Sequence, residues 1–208
     1  MSTPLSFPTV LVPGFAGGRL SLRPLRNALA KRGVDVLVWP RAPFLYRKPI
    51  GHHGLRLARD LLKLRSVLDQ PLTVMGWSEG GLVAVSAMMQ TVLQTHEQPE
   101  DVVRRIVTYG SPFHGALSAH AGWLIDPLIG TSIREMRPGS PTLNEQVSFL
   151  HHPRDWDFQA VFGTRDLLVS KRQPDLDQSW CHYGPWHHRS PLYDRSLFDL
   201  IHRLIATP

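Results

Sequence analysis

Ser78 stands in the stretch TVMGWSEGGLVA (Thr73 to Ala84), at the end of an apolar run and between Gly76 and Gly80. The pentapeptide Gly76-Trp77-Ser78-Glu79-Gly80 fits G-x-S-x-G, a pattern that exposes a serine hydroxyl at a sharp strand-to-helix turn. Side chains at Gly76 and Gly80 would collide where strand and helix converge, so the glycines belong to the pattern as much as the serine does. Unpaired N–H groups at the helix N-terminus also favour negative charge developing beside the hydroxyl. The chemistry indicated is nucleophilic attack on a carbonyl. A capping serine in a chance glycine-rich turn is the bland alternative, and it would require neither flanking element.

A serine hydroxyl is a poor nucleophile without a base, and the base needs an orienting carboxylate. After such a turn the expected chain order is serine, acid, histidine. Asp166 follows the run FQAVFG by the short turn Gly163-Thr164-Arg165, at the strand end where sites collect in parallel sheets. A turn aspartate capping the next segment is its alternative reading. Asp155, Asp157 and Asp175 are weaker rivals because none follows a strand so directly.

The histidine is expected in CHYGPWHHRSPLYDRSLFDLI, after the last strand and ahead of the final helix. His182, His187 and His188 are candidates; His188, two residues before Ser190, ranks first and His187 is its rival. His52, His53, His151 and His152 read as surface or loop residues. Donors for an oxyanion are expected from the backbone N–H of Glu79 and from that of Phe15 in the glycine-rich VPGFAGG. The Glu79 side chain itself reads as a surface carboxylate paired with a nearby arginine. Trp77, Phe113 and Trp123 would suit the apolar lining of an acyl pocket and are equally ordinary as core packing.

Strands alternating with helices must carry these residues. TVLVP (Thr9 to Pro13), VDVLVW (Val34 to Trp39), LTVMGW, RRIVTYG (Arg104 to Gly110), FQAVFG (Phe158 to Gly163) and QSWCH read as strands. Between them, Ser21 is placed to cap a helix whose Leu22, Leu25 and Leu29 share one face, with Gly33 as its stop. Leu57, Leu61, Leu64 and Leu68 mark an amphipathic helix from about Gly54 to Leu68. A helix follows the nucleophile, and another closes the chain, with Ser190 as cap, Pro191 in its first turn and a stripe of Leu197, Leu200, Ile201 and Leu204. Continuous apolar strands alternating with helices predict an α/β fold, a mostly parallel sheet with helices on both faces. The long excursion from Pro112 to Asp157, with its apolar AGWLIDPLIG, predicts a lid or cap over a site, or else a packed insertion.

Composition sets the outer bounds. The 208 residues suit one domain, and 42% apolar with 19% charged residues describes a globular chain. The net charge of +6 is scattered in short clusters such as Arg104-Arg105 and Lys171-Arg172, without a nucleic-acid-binding signature, so no nucleic-acid partner is expected. No run approaches the length of a membrane span. The opening MSTPLSFPTVLVPGF lacks a basic stretch followed by an apolar one, which predicts a cytoplasmic protein. The single Cys181 excludes an intramolecular disulfide framework and reads as a small buried residue.

Together these segments resemble the α/β-hydrolase fold, in its small bacterial lipase and esterase branch. VLVPGFAGG resembles that family's strand and oxyanion loop, with Pro13 where a histidine is usual, and GWSEGG resembles its nucleophile elbow, with Trp77 in place of histidine. YGSPFHGA and SIREMRPGSPTLNEQ are similar to segments on either side of the family's lid, although Phe113 stands where a histidine often is. VFGTRDLLVS looks like the acid strand and HHRSPLY like the histidine segment, aligning Asp166 and His188 with the family's triad. The likeness runs from about residue 7 to the C-terminus and implies a minimal α/β-hydrolase sheet of about six strands.

What the resemblance implies is hydrolysis of a carboxylic ester, from a small molecule or a lipid, through an acyl-enzyme. It implies no cofactor, and no ligand cluster in the sequence makes a metal site. Acyl transfer by the same triad and a catalytically silent binding protein are the competing readings.

Overall fold

The computed structural model describes residues 7–15, 17–18, 20–39, 48–94, 98–116, 131–152 and 155–206. Six strands form one sheet: β1 (Thr9–Val12), β2 (Val36–Val38), β3 (Leu72–Trp77), β4 (Val103–Tyr109), β5 (Asp157–Gly163) and β6 (Cys181–Gly184). Their order is β2-β1-β3-β4-β5-β6, and every neighbouring pair is parallel. All six strands therefore end at the same edge.

The helices are α1 (Arg23–Ala30), α2 (Ile50–Leu68), α3 (Glu79–Gln94), α4 (Pro99–Val102), α5 (Thr131–Glu135), α6 (Pro141–His151) and α7 (Arg195–Ala206). Alternation along the strands divides the core into two layers. Val10, Val12, Val74, Ile106, Phe158 and Ala160 pack with α2, α3 and α6 on one face. Leu11, Met75, Val107, Tyr109 and Val161 pack with α1 and α7 on the other. Both faces of the sheet are thus covered, as parallel strands require. Leu22, Leu25 and Leu29, the predicted stripe, are all fully buried. Each such leucine contributes roughly 1.5–3 kcal/mol of burial.

Several boundaries differ from the sequence reading, and each has a local cause. Ser21 does not cap α1: its hydroxyl donates to Gly18 O at 2.7 Å, Leu22 holds the cap position, and Pro24 enters the first turn. Helix α2 begins at Ile50, one turn before the expected Gly54, and the added turn carries His53 into the core with no exposed surface, contrary to its surface assignment. Ser190 does not cap the last helix either. It opens a single 3-10 turn (Ser190–Leu192), and Asp194 Oδ1 instead accepts the N–H groups of Ser196 and Leu197 at the start of α7. QSWCH is divided between a 3-10 turn (Gln178–Trp180) and β6, and Cys181 is half-buried rather than a core residue.

Part of the long excursion is regular packed structure. Ser140 Oγ accepts the Leu143 N–H at 3.3 Å and caps α6, whose Leu143 and Leu150 join the core beside α3. The apolar segment AGWLIDPLIG lies outside the described residues. Among the described residues no helix is long and apolar enough to cross a membrane.

Candidate active site

Ser78 occupies the single residue between β3 and α3, in the middle of the sheet. Its φ is 57°, a left-handed conformation that costs a non-glycine residue on the order of 1–3 kcal/mol. The turn is held by Ser78 N–H donating to Tyr109 O at 2.8 Å and by Gly81 N–H donating to Ser78 O at 3.0 Å. The flanking glycines are sterically required. A Cβ on Gly76 would sit 2.4 Å from Gly81 Cα, and one on Gly80 would sit 2.2 Å from Val12 O. Gly14 makes a similar approach from the β1 side, where a Cβ would lie 2.8 Å from both Ser78 Cβ and Trp77 O. The loop carrying Phe15 consequently runs close alongside the serine.

Asp166 follows β5, and its carboxylate is held on two sides. Oδ1 accepts the N–H groups of Leu168 at 2.8 Å and Val169 at 3.0 Å. Oδ2 accepts from His188 Nδ1 at 2.8 Å, and the other ring nitrogen, Nε2, lies 3.0 Å from Ser78 Oγ. With Nδ1 protonated toward the carboxylate, Nε2 carries the lone pair that faces the serine hydroxyl. The Asp166 side chain is 1% exposed and that of His188 14%. An acid, an imidazole and a hydroxyl therefore form one hydrogen-bonded chain across three strand ends, with the carboxylate shielded from water.

The rival histidines point elsewhere. His187 Nδ1 lies 3.0 Å from Arg165 O, and His182 Nε2 lies 2.7 Å from Gln159 Oε1. Burial holds the His182 imidazole below its ordinary value, against the smaller pull of Asp157. Asp175 meets His114 at 2.5 Å, and Asp157 meets Arg105 at 2.7 Å, both away from Ser78. Asp155 offers its backbone carbonyl to Arg104.

One further expectation is corrected. Glu79 is not a surface residue; it has no exposed area. Its charge acts on Glu135, whose carboxyl is pushed up chiefly by desolvation and further by Glu79, while hydrogen bonds from the Ile50 N–H and Thr142 pull it down. Trp77 and Phe113 both belong to the core. Trp77 packs under the sheet with its ring 6.0 Å from that of His188, and its Nε1 donates to His188 O at 2.9 Å. Phe113 is 2% exposed and meets Phe158 edge-on at 5.7 Å. Trp123 lies outside the described residues.

One contributor was invisible to sequence reasoning. Tyr109, at the end of β4, donates its hydroxyl to His187 O at 2.7 Å, and burial pushes its pKa well above the ordinary phenol value. Its only signal in the sequence was an aromatic residue closing a strand, which is ordinary core. Among the described residues no group of three His, Cys, Asp or Glu side chains is placed to hold a metal ion.

An all-parallel sheet with a strained serine between β3 and α3, an acid after β5 and a histidine after β6 is the α/β-hydrolase fold. Solved structures of that class superpose on the chain. The mature form of a Bacillus licheniformis lipase is 17% identical with a TM-score of 0.78, over 99% of this chain and 94% of that one. Lipase B of Aspergillus fumigatus is 16% identical with a TM-score of 0.75, and there the chain spans about half of the relative, 54%. A monoacylglycerol lipase of Paleococcus ferrophilus is 12% identical with a TM-score of 0.67, over 99% and 96% of the two chains. No protein-family model and no curated protein matches the sequence. The likeness is one of fold.

Proposed function

We propose that the chain is a serine hydrolase that cleaves carboxylic esters through an acyl-enzyme. The observation that carries the proposal is the unbroken chain from Ser78 Oγ through His188 (3.0 Å) to Asp166 (2.8 Å), with the carboxylate almost fully buried. In this reading His188 Nε2 takes the hydroxyl proton as Ser78 Oγ adds to the ester carbonyl. Asp166 holds the imidazole in the right tautomer and stabilises the imidazolium that results. The backbone N–H groups of Phe15 and Glu79 are the proposed donors to the oxyanion, and the close run of the Gly14 loop past Ser78 supports that role.

The tetrahedral intermediate then collapses and expels the alcohol, which receives its proton from His188. Water, deprotonated by the same nitrogen, attacks the acyl-enzyme; the proton then passes from His188 to Ser78 Oγ as the bond to the acyl carbon breaks and the acid is released. The lipase names of the superposable structures support esters, including acyl lipids, as the substrate class. Nothing in this cycle calls on a cofactor.

The test is hydrolysis of a chromogenic ester series, short to long acyl chains, by the wild type and Ser78→Ala. Turnover by the wild type that Ser78→Ala abolishes is the expected result. An unchanged rate in the variant would refute the assignment of Ser78, and the chain-length profile separates an esterase from a lipase.

A further inference from the structure

The loop that carries His188 is gripped at three consecutive carbonyls. Trp186 O accepts the Arg165 N–H at 3.1 Å, His187 O accepts the Tyr109 hydroxyl at 2.7 Å, and His188 O accepts Trp77 Nε1–H at 2.9 Å. Two of the donors directly precede the other members of the relay: Trp77 comes just before Ser78, and Arg165 just before Asp166. The third, Tyr109, ends β4, the strand between those that lead to the serine and the acid, and its own carbonyl accepts the Ser78 N–H. Tyr109 is fully buried and Trp77 is 9% exposed, so neither carbonyl partner is readily replaced by water. Each ring is also fixed by aromatic contact, Tyr109 against Trp186 at 6.5 Å and Trp77 against His188 itself.

We propose that Trp77 and Tyr109 are positioning residues: their side-chain donors lock the His188 loop to the strands bearing Ser78 and Asp166, and so set the distance from Nε2 to Oγ. The proposal rests on the serine-hydrolase reading and assigns Trp77 a different role from lining a pocket. A bond from the residue next to the nucleophile means that serine and histidine are displaced together if β3 shifts. Misplacement of about 1 Å between reacting groups costs on the order of 100-fold in rate. Loss of either donor should therefore appear in kcat, while substrate binding is left alone.

Trp77→Phe and Tyr109→Phe keep an aromatic ring and delete the donor. Each should lower kcat toward p-nitrophenyl butyrate about 10-fold with KM unchanged, and shift the acidic limb of the pH–rate profile. The double variant should lose less than the product of the single losses, because both bonds hold one loop. The His188 ring resonances, followed by NMR, should move in Tyr109→Phe, which leaves the Trp77 ring beside His188 unchanged.

Unchanged kcat in both variants with unchanged His188 resonances in Tyr109→Phe would overturn the proposal, as would a loss expressed in KM alone. Should the wild type hydrolyse no ester in the series, the activity reading fails by itself. The resonances in Tyr109→Phe then decide this proposal: displaced, it stands as a structural clamp; unmoved, it falls. If Tyr109→Phe does not fold, the kcat of Trp77→Phe tests the same loop from the neighbouring strand, β3.

Discussion

Replacing Asp166 by asparagine is the sharpest test of how the site works. The carboxylate lies 2.8 Å from His188 Nδ1 with 1% of its side chain exposed, so its charge acts on the imidazole with little screening by water. For unit charges about 4 Å apart at an effective dielectric constant of about 20, the attraction is roughly 4 kcal/mol. In the proposed mechanism that energy is available only when His188 becomes charged, as Ser78 gives up its proton, so its loss falls on the transition state. About 4 kcal/mol corresponds to roughly a thousandfold in kcat.

The amide adds a second penalty. Oδ1 is held by the N–H groups of Leu168 and Val169, so an asparagine oxygen placed there turns its NH2 group toward His188. Nδ1 must then accept, the proton moves to Nε2, and the nitrogen facing Ser78 can no longer act as a base. Steady-state hydrolysis of p-nitrophenyl butyrate, with circular dichroism to establish folding, should show kcat reduced about a thousandfold or more and KM near the wild-type value. A folded Asp166→Asn protein retaining kcat within about tenfold of the wild type would refute the electrostatic role.

Three other outcomes follow from the packing. Gly80→Ala places a Cβ 2.2 Å from Val12 O, a backbone atom of β1, and should destabilise the fold by about 3 kcal/mol or prevent folding, as read by urea denaturation. Arg105 ties β4 to Asp157 at 2.7 Å and to Leu204 O in α7 at 2.9 Å; Arg105→Met should cost about 1–3 kcal/mol and loosen α7, seen as faster amide exchange from Leu197 to Ile205. His182 has its folded pKa depressed by desolvation, so the unfolded chain binds the proton more tightly. Its contribution is intact above the ordinary histidine value and is lost as pH falls through the folded value. The acid-side drop in Tm between about pH 7 and pH 5 should shrink in His182→Gln, and an identical pH dependence in both proteins would contradict it.

The serine turn was legible because its constraints are local. A serine at positive φ between a strand and a helix needs glycine at both flanks, and those needs are written within five residues, Gly76 to Gly80. The parallel sheet was legible for a related reason: strands buried on both faces, such as Leu72–Trp77 and Val103–Tyr109, read as continuous apolar runs. Asp166 could be proposed from its place one short turn beyond a strand, and the same topology narrowed the histidine to a single loop.

What only the tertiary structure decided involves partners far apart in the chain. The choice of His188 over His187 rests on Ser78, 110 residues away, and on Asp166, because adjacent side chains on one loop differ only in the direction they face. Glu79 reads as a surface charge, yet the fold buries it completely and brings it within electrostatic range of Glu135. Ser21 and Ser190 read as caps, but their hydroxyls meet Gly18 O and the His187 N–H instead. The donors Trp77 and Tyr109 read as apolar bulk, since a single indole N–H or phenol O–H has no periodicity to reveal it. Periodicity and turn chemistry report what a residue needs from its neighbours in sequence; hydrogen bonds across a parallel sheet join strand ends that only the fold brings together.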